Sequence, residues 1–569
     1  MKTHIHYLLD QIIKRCPKSG RVVGVRRDTR VARILFPLVG LLAIGWFLLR
    51  TLPEPRRVEY PCQKVAAGIG AGFIAWLGTM LLTVTGLRFI RRRAGVVAAV
   101  AFVAVVVAGG YYSLGLSQAT SNAPAAPAKR PFPTDPQVFI SPEGANKPIG
   151  EGKGIFPGRV VWDQNFNAAK WDGKTGNWWD DANVDQTVVD EMFSKSLQTL
   201  TGTKTDAAAW DKLFQNFNAT HGRAGHGYQK GEKIVIKCNL NADDKPGVWV
   251  DAGHPSPQVA YAMVRQLIEV AGVPGDCITL TDPSRFIKDP LVSKIKANTG
   301  VEFQNVKVAD KVGGAEPWRS AAKPDTNSAV HFQMPDGKDL ALFLPRDFTD
   351  ATYLIDYAVV RPHRVFGITM SFKNHFGSVY DPDQKMFSPS KLHAFALWDY
   401  PAPYKRGNYH CLVPLLGHKN VGGKTLLYFA EGLYTAPNQG AKVVRWSTLG
   451  NRWFSSLLMS QDPVALDSVG LDLISTEPDL TTQPDGRPNP SFNGNQDGYL
   501  HEAALANHPP SGATYTDGDG VTLKSLGTHE HWNNAKDKQY SRNLGKNAGI
   551  ELVRIGETAA LKEVVEKLK

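Results

Sequence analysis

"KIVIKCNL" (233–240), "SPQVAYAMVRQLIEVAG" (256–272) and "CITLTD" (277–282) decide how this chain folds. The first is a short apolar run rich in β-branched residues and reads as a strand. The second has apolar residues at helical spacing. Ser256 stands at its N-cap, Pro257 at its first helical position and Gly272 at its stop. The third is another strand. Strand, helix, strand in this order is a βαβ unit, and its crossover is expected to be right-handed.

The same grammar extends in both directions. "GRVVW" (158–162) suits a strand, and "TVVDEMFSKSLQTL" (187–200) and "TDAAAWDKLFQNF" (205–217) are amphipathic helices. "PLVSKIKANTG" (290–300) repeats the helix-then-Gly pattern, and "VEFQNV" (301–306) is read as a strand. Further strands are expected at "DLALFLP" (339–345), "ATYLIDYAVV" (351–360) and "KTLLYFA" (424–430). "DPVALDSVGLDLIS" (462–475) is a helix capped by Asp462, and "TAALKEVVEKLK" (558–569) a terminal one. Alternating β and α elements give an α/β fold with a mainly parallel sheet and flanking helices.

Charge and hydropathy set the first hundred residues apart. They hold 17 Lys and Arg against 4 Asp and Glu, whereas the other 469 residues hold 48 against 49. The net charge of +12 is therefore local. It is no nucleic-acid signal, and no nucleic-acid-binding motif accompanies it. Three apolar spans, 31–49, 65–87 and 94–116, are each long enough to cross a bilayer core of roughly 30 Å. Basic residues in 1–30 and Arg88, Arg91, Arg92 and Arg93 in the second connection favour the cytoplasmic side. The expected layout is a basic cytoplasmic arm (1–30), a bundle of three transmembrane helices (31–116), an Ala/Pro-rich linker (117–150) and an extracytoplasmic α/β domain (151–569). The lipid bilayer is then a partner, and the inner, cytoplasmic membrane the location.

Of the five cysteines, only Cys238, Cys277 and Cys411 fall in the large domain. With no C-x-x-C pair, this chain holds no cysteine-bound iron–sulfur cluster. One disulfide among the three is compatible with their spacing.

Ligands of open α/β sheets sit beyond the carboxyl ends of the strands. Those ends carry Asn239, Asp282, Arg361, His363 and Glu431. Of these, Asn239, Arg361 and Glu431 are the candidates for holding a ligand or cofactor. The segment "RPHRVFGITMSFKNHFG" (361–377) adds a second signal. Read as extended chain, it puts Thr369, Ser371, Lys373 and His375 on one face. Lys373 can bind an anion, or act as a base if burial lowers its pKa; His375 can shuttle a proton. His363, Lys373, Asn374 and His375 are the candidate catalytic residues.

The same segment resembles the hallmark stretch of a bacterial and archaeal family of unknown function, the one numbered 362 among such domains. Arg361, Pro362, His363, Gly367, Thr369, Lys373, Asn374 and Gly377 carry the likeness. "VIKCNL", "HPSPQVAYAMVRQLIEVAG" and "SQDPVALDSVGLDLI" agree with further landmarks, and the resemblance spans roughly 150–555. Two positions depart from the pattern: Cys238 replaces a usual Pro and Arg361 a usual Lys. Arg keeps the charge without lysine's tunable pKa, so position 361 is suited to anion binding and not to base catalysis. The family's layout is also remotely similar to that of nickel-pincer lactate racemases, which implies a Lys and His pair holding a cofactor.

"THEHW" (528–532) offers His529 and His531 as metal ligands, since on a strand they share a face. Structural histidines beside Trp532 are the competing reading. The Trp- and Asp-rich loop 171–185 reads as a capping segment for the helix that follows. "DGDG" (517–520) reads as a hairpin turn, and 483–498 as a turn-rich loop without EF-hand spacing. Two functions remain open: an extracytoplasmic enzyme whose cleft takes a small anionic or metal-bound ligand, and a membrane-anchored binding or sensing module.

Overall fold

The computed structural model describes residues 143–240, 252–311, 317–388, 390–397, 404–482, 489 and 491–557, with 13–15, 22–25, 44 and 46. The chain divides into two compact units, Met1–Phe132 and Pro133–Lys569. In the first, β1 (Ile13–Arg15) and β2 (Val22–Val25) form an antiparallel hairpin inside the basic arm, where the sequence reading placed no element. The expected spans at 31–49, 65–87 and 94–116 lie outside the described residues except for positions 44 and 46, as do most of the linker and the helix at 558–569. Among the described residues, no helix is long and apolar enough to cross a membrane.

The second unit is built on one nine-stranded sheet. In chain order its elements begin with β3 (Ile149–Gly150), β4 (Arg159–Gln164), α1 (Gln186–Thr201), α2 (Asp206–Thr220), β5 (Ile234–Cys238) and α3 (Pro257–Arg265). Next come β6 (Ile278–Asp282), α4 (Asp289–Lys296), α5 (Val301–Asn305), β7 (Lys307–Asp310), β8 (Arg319–Ala321), β9 (Pro324–Gln333) and β10 (Asp339–Pro345). The chain continues through β11 (Tyr353–Val359), β12 (Pro362–His363), β13 (Gly367–Ile368), α6 (Ser371–Asn374), β14 (Tyr380–Asp381) and β15 (Met386–Phe387). It closes with β16 (Thr425–Gly432), β17 (Ser456–Ser460), α7 (Pro463–Ser475), α8 (Gly498–Ala504), β18 (Thr528–His529) and β19 (Glu551–Gly556).

The sheet order is β19-β4-β17-β16-β11-β5-β6-β7-β8. β17 alone runs against the others, pairing antiparallel with β16 and β4. The centre, β16-β11-β5-β6-β7, is parallel throughout. The expected mainly parallel α/β sheet is thus what forms. Two expected strands differ. β10 belongs to a separate four-stranded sheet with β9, β14 and β15. Residues 301–305 are helix, because Phe303 alone turns into the core while Val301 lies exposed and Glu302 accepts a bond from the Gly275 amide at 2.6 Å.

Both faces of the sheet are covered, so its strands read as near-continuous apolar runs. Alternate residues serve alternate cores. Ile234, Ile236, Tyr353, Ile355 and Tyr357 pack under α1 to α4. Val235, Leu354 and Ala358 face the other way, towards α7 and the four-stranded sheet. Lys237 and Asp356 share the parity of that second set, so both charges lie buried beneath it. The Trp-rich loop does cap α1: Asp185 Oδ1 accepts from the Thr187 and Val188 amides, and Trp178 is fully buried. The turn at 517–520 lies inside the Thr516–Thr522 antiparallel bridge. Cys238, Cys277 and Cys411 are all free thiols, so the disulfide that their spacing allowed does not form.

Candidate functional site

β5, β6 and β11 end at the same edge of the sheet, and a cavity of about 220 Å³ opens there. Asn239, Asp282, Ser284, His363, Lys373 and Asn374 are among the residues that line it. Of the strand-end residues Asn239, Asp282, Arg361, His363 and Glu431, the fold brings Asn239, Asp282 and His363 to this cavity, together with Lys373 and Asn374 from the segment that follows β11.

The segment after β11 folds differently from its sequence reading. Residues 371–374 form α6 and 375–378 a single 3₁₀ turn. The alternation of Ile368, Met370, Phe372 and Phe376 is thus not that of a strand. Helical geometry separates Lys373 from His375. Lys373 meets the cavity. His375 is fully buried behind it, 3.8 Å from Asp356 Oδ2 and edge-on to Phe348. Asp467 of α7 fixes the start of α6 by accepting from the Ser371 amide at 2.8 Å and the Phe372 amide at 3.3 Å. Gly377 lets this turn approach the β6 end, since a Cβ there would lie 2.4 Å from Ser284 Oγ.

Lys373 is the chemically distinctive group. Its ammonium rests 3.7 Å from the Phe376 ring centroid and 5.0 Å from that of Phe366. Among the described residues it has no carboxylate partner. Burial, reinforced by Arg285, Arg361 and Lys237, pulls its pKa down from 10.5 to about 7. His363 Nδ1 accepts from the Val365 amide at 3.0 Å and the Phe366 amide at 3.2 Å. Burial, together with the Lys373 and Arg361 charges, holds the ring neutral by pushing its pKa well below 6.5. A neutral imidazole whose Nδ1 accepts carries its proton on Nε2, so the remaining polar edge of His363 is a donor.

Arg361 lies one layer behind. Its guanidinium donates to Asn239 Oδ1 at 3.0 Å and to the Gly253 carbonyl, and so orients Asn239. Burial lowers its pKa to about 9, which leaves it cationic at neutral pH. Glu431 does not reach the cavity. It accepts from the Ser256 amide and hydroxyl and from Tyr357, and burial raises it to about 7. Ser256 occupies the N-cap position of α3, as its sequence reading has it, but its hydroxyl orients Glu431 and makes no side-chain capping bond.

Asn374 is held by a buried polar network. Its carbonyl accepts from Lys237 Nζ at 2.9 Å, and its amide donates to the Lys237 carbonyl at 3.0 Å and to Asp356. Lys237 also lies 3.4 Å from Asp282 Oδ2. Sequence reasoning passed over Lys237 and Asp356 because both sit inside apolar strand runs. A charge inside a doubly covered strand was the available signal, since such a group needs a partner. Arg285 and Gln439, from loops, and His393, from a 3₁₀ helix at Ser390–Phe395, also reach the cavity, with no motif to mark them.

A larger cleft of about 560 Å³ lies at the opposite, amino ends of β11 and β16. Its cations are already engaged: Lys424 with the Phe348 and Thr349 carbonyls, Arg223 with Glu232, Lys419 with Asp519. The smaller cavity is the better ligand site, because its lysine is uncommitted.

His529 and His531 stand elsewhere, at β18. His529 Nδ1 is 2.8 Å from Ser468 Oγ. His531 is bracketed by carboxylates, with Nδ1 2.5 Å from Asp472 and Nε2 3.4 Å from Asp497. Against the cost of burial, these two raise its pKa to about 10. The His529 and His531 rings lie edge to face with centroids 4.9 Å apart, and both nitrogens of His531 already face carboxylates. The atoms that come within 4.8 Å of one another belong to Asp497, His501 and His529. Asp462 caps α7 through the Ala465 amide at 2.8 Å and also accepts from Lys153 and Thr528, which accounts for it structurally.

A family model described as "Domain of unknown function (DUF362)" matches residues 234–472, a narrower stretch than the sequence likeness suggested. No curated protein matches the chain. Among solved structures the chain is similar to the lactate racemase apoprotein from Thermoanaerobacterium thermosaccharolyticum, at 12% identity over 59% of this chain. It spans only 63% of that protein's length, and the TM-score of 0.25 carries no inference about activity.

Proposed function

We propose that the cavity at the carboxyl ends of β5, β6 and β11 is an enzyme site for a small anionic molecule. Lys373 would exchange a proton with it, and His363 would donate to one of its oxygens. The uncommitted, buried Lys373 ammonium carries this reading. A cation with no carboxylate partner among the described residues favours an anion, and a pKa near neutrality suits proton transfer at physiological pH. Asn239, held by Arg361, supplies a neutral polar contact that can fix the ligand's orientation. Asn374 and Asp356 would act through position, keeping α6 on β5.

The test is isothermal titration of the full-length protein with oxalate and with sulfate. Binding by wild type, weakened at least tenfold in Lys373→Met with unchanged circular dichroism, is expected. Equal affinity in wild type and variant would sink the proposal. The apolar, asymmetrically charged spans at 31–49, 65–87 and 94–116 support a cytoplasmic-membrane anchor for this domain. Alkaline carbonate extraction should leave the protein in the membrane pellet, and release into the supernatant would count against the anchor.

A further inference from the structure

We propose a second site, for a divalent transition-metal ion, with Asp497, His501 and His529 as its ligands. It is distinct from the β5–β11 cavity and fastens the C-terminal segment to the body of the domain.

Asp497 precedes α8, His501 lies within it, and His529 is on β18. One donor atom from each lies within 4.8 Å of the others, and all three residues are buried. His501 Nε2 makes no hydrogen bond, although the residue is only 9% exposed. It lies 3.5 Å from Asp497 Oδ2 and 3.8 Å from Glu143 Oε1. A buried imidazole nitrogen with no bond, aimed at two carboxylates and beside a second imidazole whose centroid is 4.7 Å away, is a poor apolar packing element and a good ligand.

The outer layer has the form that metal centres require. A ligating histidine needs its far nitrogen held by a second group, which fixes ring orientation and tautomer. His529 has this in Ser468 Oγ, 2.8 Å from Nδ1. With Nδ1 so engaged, Nε2 is the nitrogen left for a ligand. Asp497 is steadied in turn by Arg406 and by His531, which is itself held by Asp472 at 2.5 Å. Arg406 and His531 together occupy Oδ2 and Arg406 takes one lone pair of Oδ1, which leaves the other lone pair of Oδ1 for an ion.

Charge balance agrees. Asp472, Asp497 and Glu143 set three carboxylates against the single guanidinium of Arg406. His531, bracketed by Asp472 and Asp497, offsets a further charge, and the remaining surplus of negative charge favours a cation. Two nitrogens and one carboxylate oxygen, with Glu143 in reach as a fourth donor, are ligands of borderline softness. They suit zinc and its neighbours better than magnesium or calcium, which prefer all-oxygen sets. Burial of Asp497, His501 and His529 points to a structural ion.

The full-length protein, stripped by a chelator and desalted, is titrated with zinc chloride and in parallel with cobalt chloride. We expect one equivalent of zinc retained through gel filtration, a rise in Tm, and visible cobalt bands of a low-coordinate, nitrogen-containing site. His501→Ala and His529→Ala abolish both signals. Ser468→Ala keeps all three ligands but frees His529, and weakens zinc binding by about ten- to a hundredfold. Wild type that retains no zinc overturns the proposal, as does retention unchanged in both histidine variants. Should those variants fail to fold, the wild-type cobalt spectrum decides: octahedral all-oxygen bands, or none, overturn it.

Discussion

Replacing Lys373 by Met should stabilise this protein, by an amount that shrinks as pH rises. The lysine is 8% exposed, and burial takes its pKa from 10.5 to about 7. At roughly 1.4 kcal/mol per pKa unit, its ionisation in the folded state costs about 4 kcal/mol at pH 7. Met keeps the unbranched stem against Phe366 and Phe376, so little volume is lost. It forfeits the cation–π contacts, worth about 1–2 kcal/mol. The net gain is then about 2 kcal/mol at pH 7. The sign of the pH dependence follows from the depressed folded pKa. The unfolded chain holds the proton up to 10.5, so the penalty is full below about 7 and is relieved between 7 and 10.5. Wild type should therefore recover about 2 kcal/mol on the variant between pH 7 and pH 9. Urea unfolding of both full-length proteins at pH 7, 8 and 9 measures this difference, and its pH slope does not depend on packing. A stability difference that stays flat over that range refutes the buried, uncommitted lysine.

Other outcomes follow from the same geometry. Affinity for oxalate should fall about tenfold from pH 6 to pH 8 as the Lys373 ammonium drops from about nine-tenths to one-tenth protonated; Lys373→Arg should flatten that profile in titration calorimetry. His363→Asn keeps a side-chain acceptor for the Val365 amide but loses the ring donor, so binding should weaken with Tm nearly unchanged. Asn374→Ala strips partners from Lys237 and Asp356 and should cost about 3 kcal/mol or more in chemical unfolding. Gly470→Ala would place a Cβ 1.9 Å from Met370 Sδ, and the resulting overpacking should cost about 1–3 kcal/mol by the same measurement.

The sheet was legible because a buried parallel strand leaves a strong mark. "KIVIKCNL" and "TYLIDYAVV" are apolar on both faces, and the rule placing ligands at carboxyl ends then picked out Asn239 and His363. What misled was periodicity over short runs. "ITMSFKNHF" alternates like a strand yet turns helical from Ser371, since Asp467, some hundred residues onward, pins the Ser371 and Phe372 amides. "VEFQNV" failed alike, through a tertiary bond that Glu302 accepts from the Gly275 amide. His529 and His531 were visible together in the sequence, but His501 is brought beside them by α8, which no local spacing announces. Lys237 and Asp356 were hidden by the apolar company that makes them matter.

α7 presents Asp467 to the amides that begin α6 and, on the very next residue, Ser468 to His529. One rigid turn is thus a lever with an arm in each site. A displacement of His529 passed on to Ser468 would have a single peptide bond to cross before it reached Asp467 and the start of α6. The ion's occupancy would then be legible at the cavity, as a change in the apparent pKa of a lysine that never touches it.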